Sequence, residues 1–286
     1  MPLDFSTLFV ALLALLFNWI AYRKKFYYFN AQPKTLIPLS TFELITCFAI
    51  YLIFSLILAP IFAKFYLEYL KFKDPAAISL SIFAISSFQL ITMGTIFFGL
   101  MLFMDIHNPS ALTRLWKDKL KNSRSIFYDF GTGMIAWALS FPLVVVLSQL
   151  SDFLIETLIG PEQYEQAAVR FVKTAMQAPG ALVMSMVSVI IFAPIVEEFL
   201  FRGCLQNYLK LHFGTKAAIQ LSALCFALFH LTPSQGIGNF SLAVSLFLLG
   251  LFLGFLYEKQ NSLFASIGLH MTFNTVSAMR IIMEAT

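Results

Sequence analysis

With 286 residues, of which 59% are hydrophobic and only 12% charged, the chain lies outside the range of soluble domains, whose apolar share is about 45–50% and charged share about 25%. Thirty-three phenylalanines and a mean hydropathy of +0.81 point to a polytopic integral membrane protein: an all-α transmembrane helix bundle partnered by the lipid bilayer, with no sign of a nucleic-acid partner. The net charge of +4 therefore matters through its distribution across loops, because local Lys and Arg counts set membrane orientation. Cys47, Cys204 and Cys225 lie in or beside apolar runs without CxxC spacing, which suggests neither a disulfide framework nor a zinc-thiolate site.

About 20 apolar residues cross about 30 Å of hydrocarbon. The sequence predicts about eight such spans: Phe5–Tyr22, Thr41–Phe62, Ala76–Met104, Gly131–Leu150, Gly180–Phe201, Ala217–Leu231, Ser241–Tyr257 and Ser262–Ile282. The sixth is short enough to demand tilting or local thinning. Span one is followed by Arg23-Lys24-Lys25 and has no small-residue cleavage site, so it reads as a retained anchor. Residues 1–150 form an N-terminal four-helix membrane region with no legible function, and residues 180–282 form a second, chemically richer unit.

Alternate loops differ in basic residues, with 13 in the set containing Arg23, Arg114, Arg202 and Lys259 against 6 in the set containing Lys64, Arg170 and Arg280. That excess predicts a cytoplasmic first set and an external N-terminus. Within residues 105–130, Asn108-Pro109-Ser110 is a helix-start signal. Leu112, Leu115, Trp116 and Leu120 among basic residues then suit either a short amphipathic helix on the cytoplasmic membrane surface or a plain connection. The acidic stretch 151–179 has helical spacing at Tyr164, Ala168, Phe171 and Ala175 and is expected to cover the outer face.

The polar chemistry gathers in the second half of the chain, on three helices: the fifth, sixth and eighth spans. Ile191-Phe-Ala-Pro-Ile-Val-Glu197-Glu198-Phe-Leu-Phe-Arg202 places two acids and an arginine in an apolar run, where each charge costs on the order of several kcal/mol unless paired or wetted. Glu198 and Arg202 stand one helical turn apart and can pair, whereas Glu197 projects about 100° away and is left for other work. Phe226-x-x-x-His230 and His270-x-x-x-Asn274 each set an imidazole one turn from a second group on the same face. A lone intramembrane His is commonly an interhelical hydrogen-bond partner, so each pair alone is weak. Together, a carboxylate and an imidazole can move a proton from water to a leaving amine, and a second imidazole with an amide can stabilise an oxyanion. The same side chains are acceptable zinc ligands, which leaves a divalent metal such as zinc open as a cofactor.

The ordered set Glu197-Glu198-x-x-x-Arg202, Phe226-x-x-x-His230 and His270-x-x-x-Asn274 resembles the intramembrane proteases that include type II CAAX prenyl endopeptidases and bacteriocin-processing or immunity proteins. The likeness covers about residues 180–280. It implies an intramembrane endopeptidase acting on membrane-anchored protein or peptide substrates, prenylated or lipid-associated chains among them, in a multi-pass cell membrane protein of bacterial type. It further implies that Glu197 and His230 activate water, that His270 and Asn274 stabilise the oxyanion, and that Glu198 with Arg202 braces the first helix. The family is usually labelled metalloprotease, yet no His-Glu-x-x-His helix is present.

Two other classes fit parts of the pattern. A proton-coupled transporter would use the same residues as a relay but would repeat them in both halves of the chain. A non-enzymatic immunity or scaffold protein would share the fold without needing three intact motifs. Helix arithmetic also exposes a mismatch. At 1.5 Å per residue, Glu197, His230 and His270 reach a common depth only if Pro194 bends the fifth span and the sixth is tilted or begins deep in the membrane.

Overall fold

The computed structural model describes residues 5–28, 36–73, 78–119, 122–160 and 165–285. Lys34, Leu120, Lys121, Glu162, Gln163 and Tyr164 of the sequence reading lie outside them. Among the described residues helices joined by turns and short irregular segments make up the chain, with one isolated backbone bridge between Lys117 and Ser262 and no β-strand. The helices are α1 (Phe5–Arg23), α2 (Thr41–Leu52), α3 (Ala59–Lys73), α4 (Ile78–His107), α5 (Pro109–Trp116) and α6 (Ile126–Leu158). They continue with α7 (Ala167–Ala175), α8 (Pro179–Val187), α9 (Ala193–Glu198), α10 (Asn207–Phe229), α11 (Gly238–Gln260) and α12 (Leu263–Ala285). Helix stands at each of the eight expected span positions. Among the described residues, five continuous segments are long and apolar enough to cross a membrane: Thr41–Tyr69, Ser81–His107, Ile126–Leu158, Pro179–Phe229 and Gly238–Gln260. Large apolar side chains such as Phe98, Phe127 and Ile135 stand exposed on the outer surface, as expected where lipid is the solvent. The protein is an integral membrane helix bundle.

Three segments among the described residues are π-helical, and each joins two α-helices without a break. Ile53–Leu58 connects α2 to α3, Ser188–Phe192 connects α8 to α9, and Phe199–Gln206 connects α9 to α10. The segment from Pro179 to Phe213 is thus one long rod, not a span ending at Phe201 followed by a polar loop. It reverses at Gly214, whose φ of +75° and ψ of 171° lie in a region open essentially to glycine. This corrects the expected boundaries and resolves the depth mismatch. Glu197 stands seventeen positions before Gly214 and His230 sixteen after it, so the two arms of the hairpin bring them level.

Two basic residues counted as cytoplasmic loop charges are buried. Arg202 is fully buried, and Lys117 is 8% exposed, with its ammonium 2.6 Å from the fully buried Asp129. Asn122 donates to both Asp129 oxygens and to the carbonyl of Gln260, tying the α5–α6 connection to the end of α11. The short amphipathic helix forms as α5, with Asn108 as its N-cap. Its apolar face turns inward: Leu115 is fully buried, and Trp116 packs on Phe199 and Phe264 at 5.8 Å between ring centroids. The core behind it offers more apolar contact than a membrane surface would. Glu43 belongs to a capping box, accepting from the Ser40 backbone N–H at 2.7 Å while Ser40 Oγ accepts from the Glu43 N–H. Capping accounts for this acid outside the polar cluster.

Helices α6 and α12 cross at close range. A Cβ at Gly133 would strike the carbonyl of Ala265, and one at Gly268 would strike the carbonyl of Phe130. Small residues permit such approach in membranes, where van der Waals packing and interhelical hydrogen bonds drive association. The crossing fixes the segment of α12 that carries His270, two residues beyond Gly268.

Candidate active site

Glu197 and Glu198 occupy the last turn of α9, between two π-helical stretches. A π-turn places an extra residue in the turn and redirects the side chains that follow, and such turns recur at functional sites. Glu198 points into the bundle, where it and Arg202 are fully buried with Oε1 3.0 Å from Nη1. Arg202 Nη2 also donates to the carbonyl of Gly250 on α11 at 3.2 Å. Its guanidinium lies 4.4 Å from the centroid of Phe226, a cation–π contact strengthened by the dry surroundings.

His270 meets this pair from α12. Its Nδ1 lies 2.8 Å from the same Glu198 Oε1 that takes Arg202, and its Nε2 lies 3.8 Å from Glu197 Oε2. His230, at the C-terminal end of α10, brings its Nε2 to 3.6 Å from Glu197 Oε2 while its Nδ1 sits 2.8 Å from the carbonyl of Phe226. A carbonyl only accepts, so His230 Nδ1 carries a proton and Nε2 of the neutral ring presents a lone pair to Glu197. Phe226 backs both imidazoles, its centroid 4.6 Å from that of His230 and 5.7 Å from that of His270. The motif phenylalanine is thus a wall shared by Arg202 and the two histidines.

Glu197 occupies the mouth between the imidazoles. Its distances of 3.6 and 3.8 Å to their Nε2 atoms exceed direct hydrogen bonding but suit a bridging water. Its side chain is 12% exposed and that of His230 29%, whereas Glu198 and Arg202 are closed off. The site therefore has an open face at Glu197 and His230 and a sealed back.

Asn274 stands one turn after His270 on α12. Its Nδ2 donates to the carbonyl of Val189 at 2.8 Å, within the π-helical stretch Ser188–Phe192, which leaves one amide N–H uncommitted. The Glu198–His270 contact, across 72 positions of sequence, has no local signature. A second polar group escaped the sequence reading: Gln206 and Lys210 both donate to Glu258, at 3.1 and 2.7 Å, and Asn207 donates to the Tyr257 hydroxyl at 2.6 Å. It binds α10 to α11 below the site.

Of the expected residues, Glu197, Glu198, Arg202, His230 and His270 converge, and Asn274 stands one helical turn beyond His270. Among the described residues, no group of three or more His, Cys, Asp or Glu side chains is arranged to hold a metal ion. Residues 179–276 match the family model Rce1-like, type II CAAX prenyl endopeptidase. No curated protein and no solved structure matches the chain. The match likens this segment to the CAAX-type intramembrane proteases and covers about a third of the chain, the part that carries the polar site.

Proposed function

Proceeding from the match of residues 179–276 to the type II CAAX prenyl endopeptidase family, we propose that the protein is an intramembrane endopeptidase. It hydrolyses a peptide bond of membrane-anchored protein or peptide substrates, prenylated chains among them, in a bacterial-type cell membrane. The observation that carries the reading is the position of Glu197 Oε2 between two imidazole Nε2 atoms at 3.6 and 3.8 Å, which suits one water held by a base and an acceptor.

In this mechanism the water donates one hydrogen bond to Glu197 and the other to the lone pair on His230 Nε2. Glu197 takes the proton as the water oxygen bonds to the scissile carbonyl carbon. The carbonyl oxygen becomes an oxyanion, for which His270 Nε2–H and the uncommitted N–H of Asn274 are the donors. His270 donates at Nε2 only as the imidazolium, because its Nδ1 proton is held by Glu198. In that state Glu197, Glu198, Arg202 and His270 sum to zero charge, which suits a site inside a membrane. The proton on Glu197 then passes to the leaving amine nitrogen, by way of His230, as the C–N bond breaks. Glu198 and Arg202 act behind the reacting atoms, fixing His270 and α9. The chemistry proceeds with protein groups alone.

The test is cleavage of a farnesylated peptide and of a non-prenylated single-span peptide by full-length protein reconstituted in phosphatidylcholine vesicles. Wild type should cleave at least one of them, while Glu197→Gln should lose about 10²–10⁴-fold in rate with normal yield and insertion. Undiminished turnover by Glu197→Gln would remove Glu197 from the role of base.

A further inference from the structure

The segment that matches the protease family begins at residue 179, yet α2, far upstream, packs on the same rod that carries the glutamates. Thr41 Oγ1 lies 2.9 Å from the Tyr208 hydroxyl, Cys47 meets Cys204, and Phe48 packs edge-on to Phe201 with centroids 5.5 Å apart. Position rises in α2 as it falls in the rod, so the two run antiparallel in fixed register. One turn beyond Cys47, that register sets Tyr51 level with Glu198 and its neighbour Glu197. The Tyr51 ring lies 5.2 Å from that of Phe229, the residue before His230. Among the described residues the Tyr51 hydroxyl has no hydrogen-bond partner, and the helix widens into the π-helical stretch Ile53–Leu58 immediately after Leu52.

We propose that Tyr51 is a further catalytic residue, supplied by the N-terminal region, whose hydroxyl donates a hydrogen bond to the oxyanion formed at the scissile carbonyl. The inference rests on the protease reading above. Tyr51 would join His270 Nε2–H and the second amide N–H of Asn274 as a third donor, since Arg202 is sealed behind Glu198 and Asn274 gives its other amide N–H to Val189. A neutral phenol is a donor whose charge does not change when it is buried in a membrane. It keeps its proton throughout, so the proton path from water through Glu197 to the leaving amine is unaltered. The same placement gives the N-terminal region a part in the chemistry.

Tyr51→Phe removes the hydroxyl and keeps the ring that packs on Phe229. In the vesicle assay with the peptides named above, kcat should fall about 10²-fold, the scale of one lost oxyanion donor, with KM and thermal stability unchanged. Wild-type kcat in Tyr51→Phe would overturn the inference and leave the protease reading standing. A rise in KM at constant kcat would also overturn it, because the hydroxyl would then bind substrate without favouring the transition state. If wild type cleaves neither peptide, the protease reading fails and the inference falls with it. An independent readout is the ¹⁹F resonance of 3-fluorotyrosine at position 51, which should move on Glu197→Gln without substrate. An unmoved resonance would show that the two groups do not face one another.

Discussion

His270 Nδ1 and Glu198 Oε1 are 2.8 Å apart, across 72 positions of sequence, and the same oxygen takes the Arg202 guanidinium at 3.0 Å. One carboxylate oxygen therefore secures two cationic or donor groups from different helices. Its partner oxygen, Oε2, and Arg202 Nε are buried without hydrogen bonds. Glu198 is thus both the counter-ion of Arg202 and the group that sets the ring orientation of His270.

Glu198→Ala should damage stability at least as much as rate. It leaves a fully buried guanidinium without its carboxylate, a change that costs on the order of 3–5 kcal/mol. The expected readout is a lowered unfolding temperature together with cleavage near background. Replacing the pair by Glu198→Gln with Arg202→Met should recover much of the stability while cleavage stays low, because His270 loses its anionic anchor. Full activity in that double variant would separate Glu198 from His270 positioning.

Gly214→Ala should destabilise the hairpin by about 1–3 kcal/mol, since φ of +75° with ψ of 171° is a conformation nearly closed to residues with a Cβ. Nothing within 4 Å would clash with the added methyl, so the effect isolates backbone strain. Because the turn sets Glu197 level with His230, activity should fall with the unfolding temperature. An unchanged unfolding temperature would show that the reversal tolerates a side chain.

The α5–α6 connection should face the cytoplasm and the α6–α7 connection the opposite side, following the excess of basic residues in the first set of loops. In a cysteine-less variant, Ser123→Cys should resist a membrane-impermeant thiol reagent in intact cells, while Ala167→Cys should react. Both positions are exposed. The reverse pattern would invert the protein in the membrane.

Purified active enzyme should contain far less than one equivalent of zinc and should survive prolonged chelation. The expectation follows from His270, whose ring nitrogens face one carboxylate each, an arrangement that suits an imidazolium more than a metal ligand. Stoichiometric zinc, with activity lost on its removal and regained on its return, would defeat the metal-free mechanism and leave the protease assignment intact.

Much of this was legible in sequence. The apolar runs located the helices, and the one-turn spacing of Glu198 and Arg202 anticipated their ion pair. Residue types and order also identified Glu197, His230 and His270 as a set. What was hidden is tertiary. Lys117 looked like a loop charge because its buried partner, Asp129, lies within another polar stretch. Arg202 looked like the start of a loop because α-helical spacing does not announce a π-helical continuation to Gln206. Leu115 and Trp116 form an apolar face whose partner, protein or lipid, depends on where α5 docks. The approach of α2 to the glutamates follows from packing between segments about 150 residues apart.

The three π-helical stretches have a consequence for how sequences of this kind are compared. A π-turn is equivalent to a single inserted residue absorbed within a helix. Removing one residue between Phe199 and Gln206 would return that turn to ordinary helix with the flanking helices in nearly their former phase, yet turn side chains inside the stretch by up to about 100°. The letters of the Glu-Glu-x-x-x-Arg and Phe-x-x-x-His motifs can survive that change while the groups they encode no longer meet. For this fold, a one-residue gap in an alignment at 188–192 or 199–206 is therefore a stronger warning of lost activity than many substitutions elsewhere in the same helices.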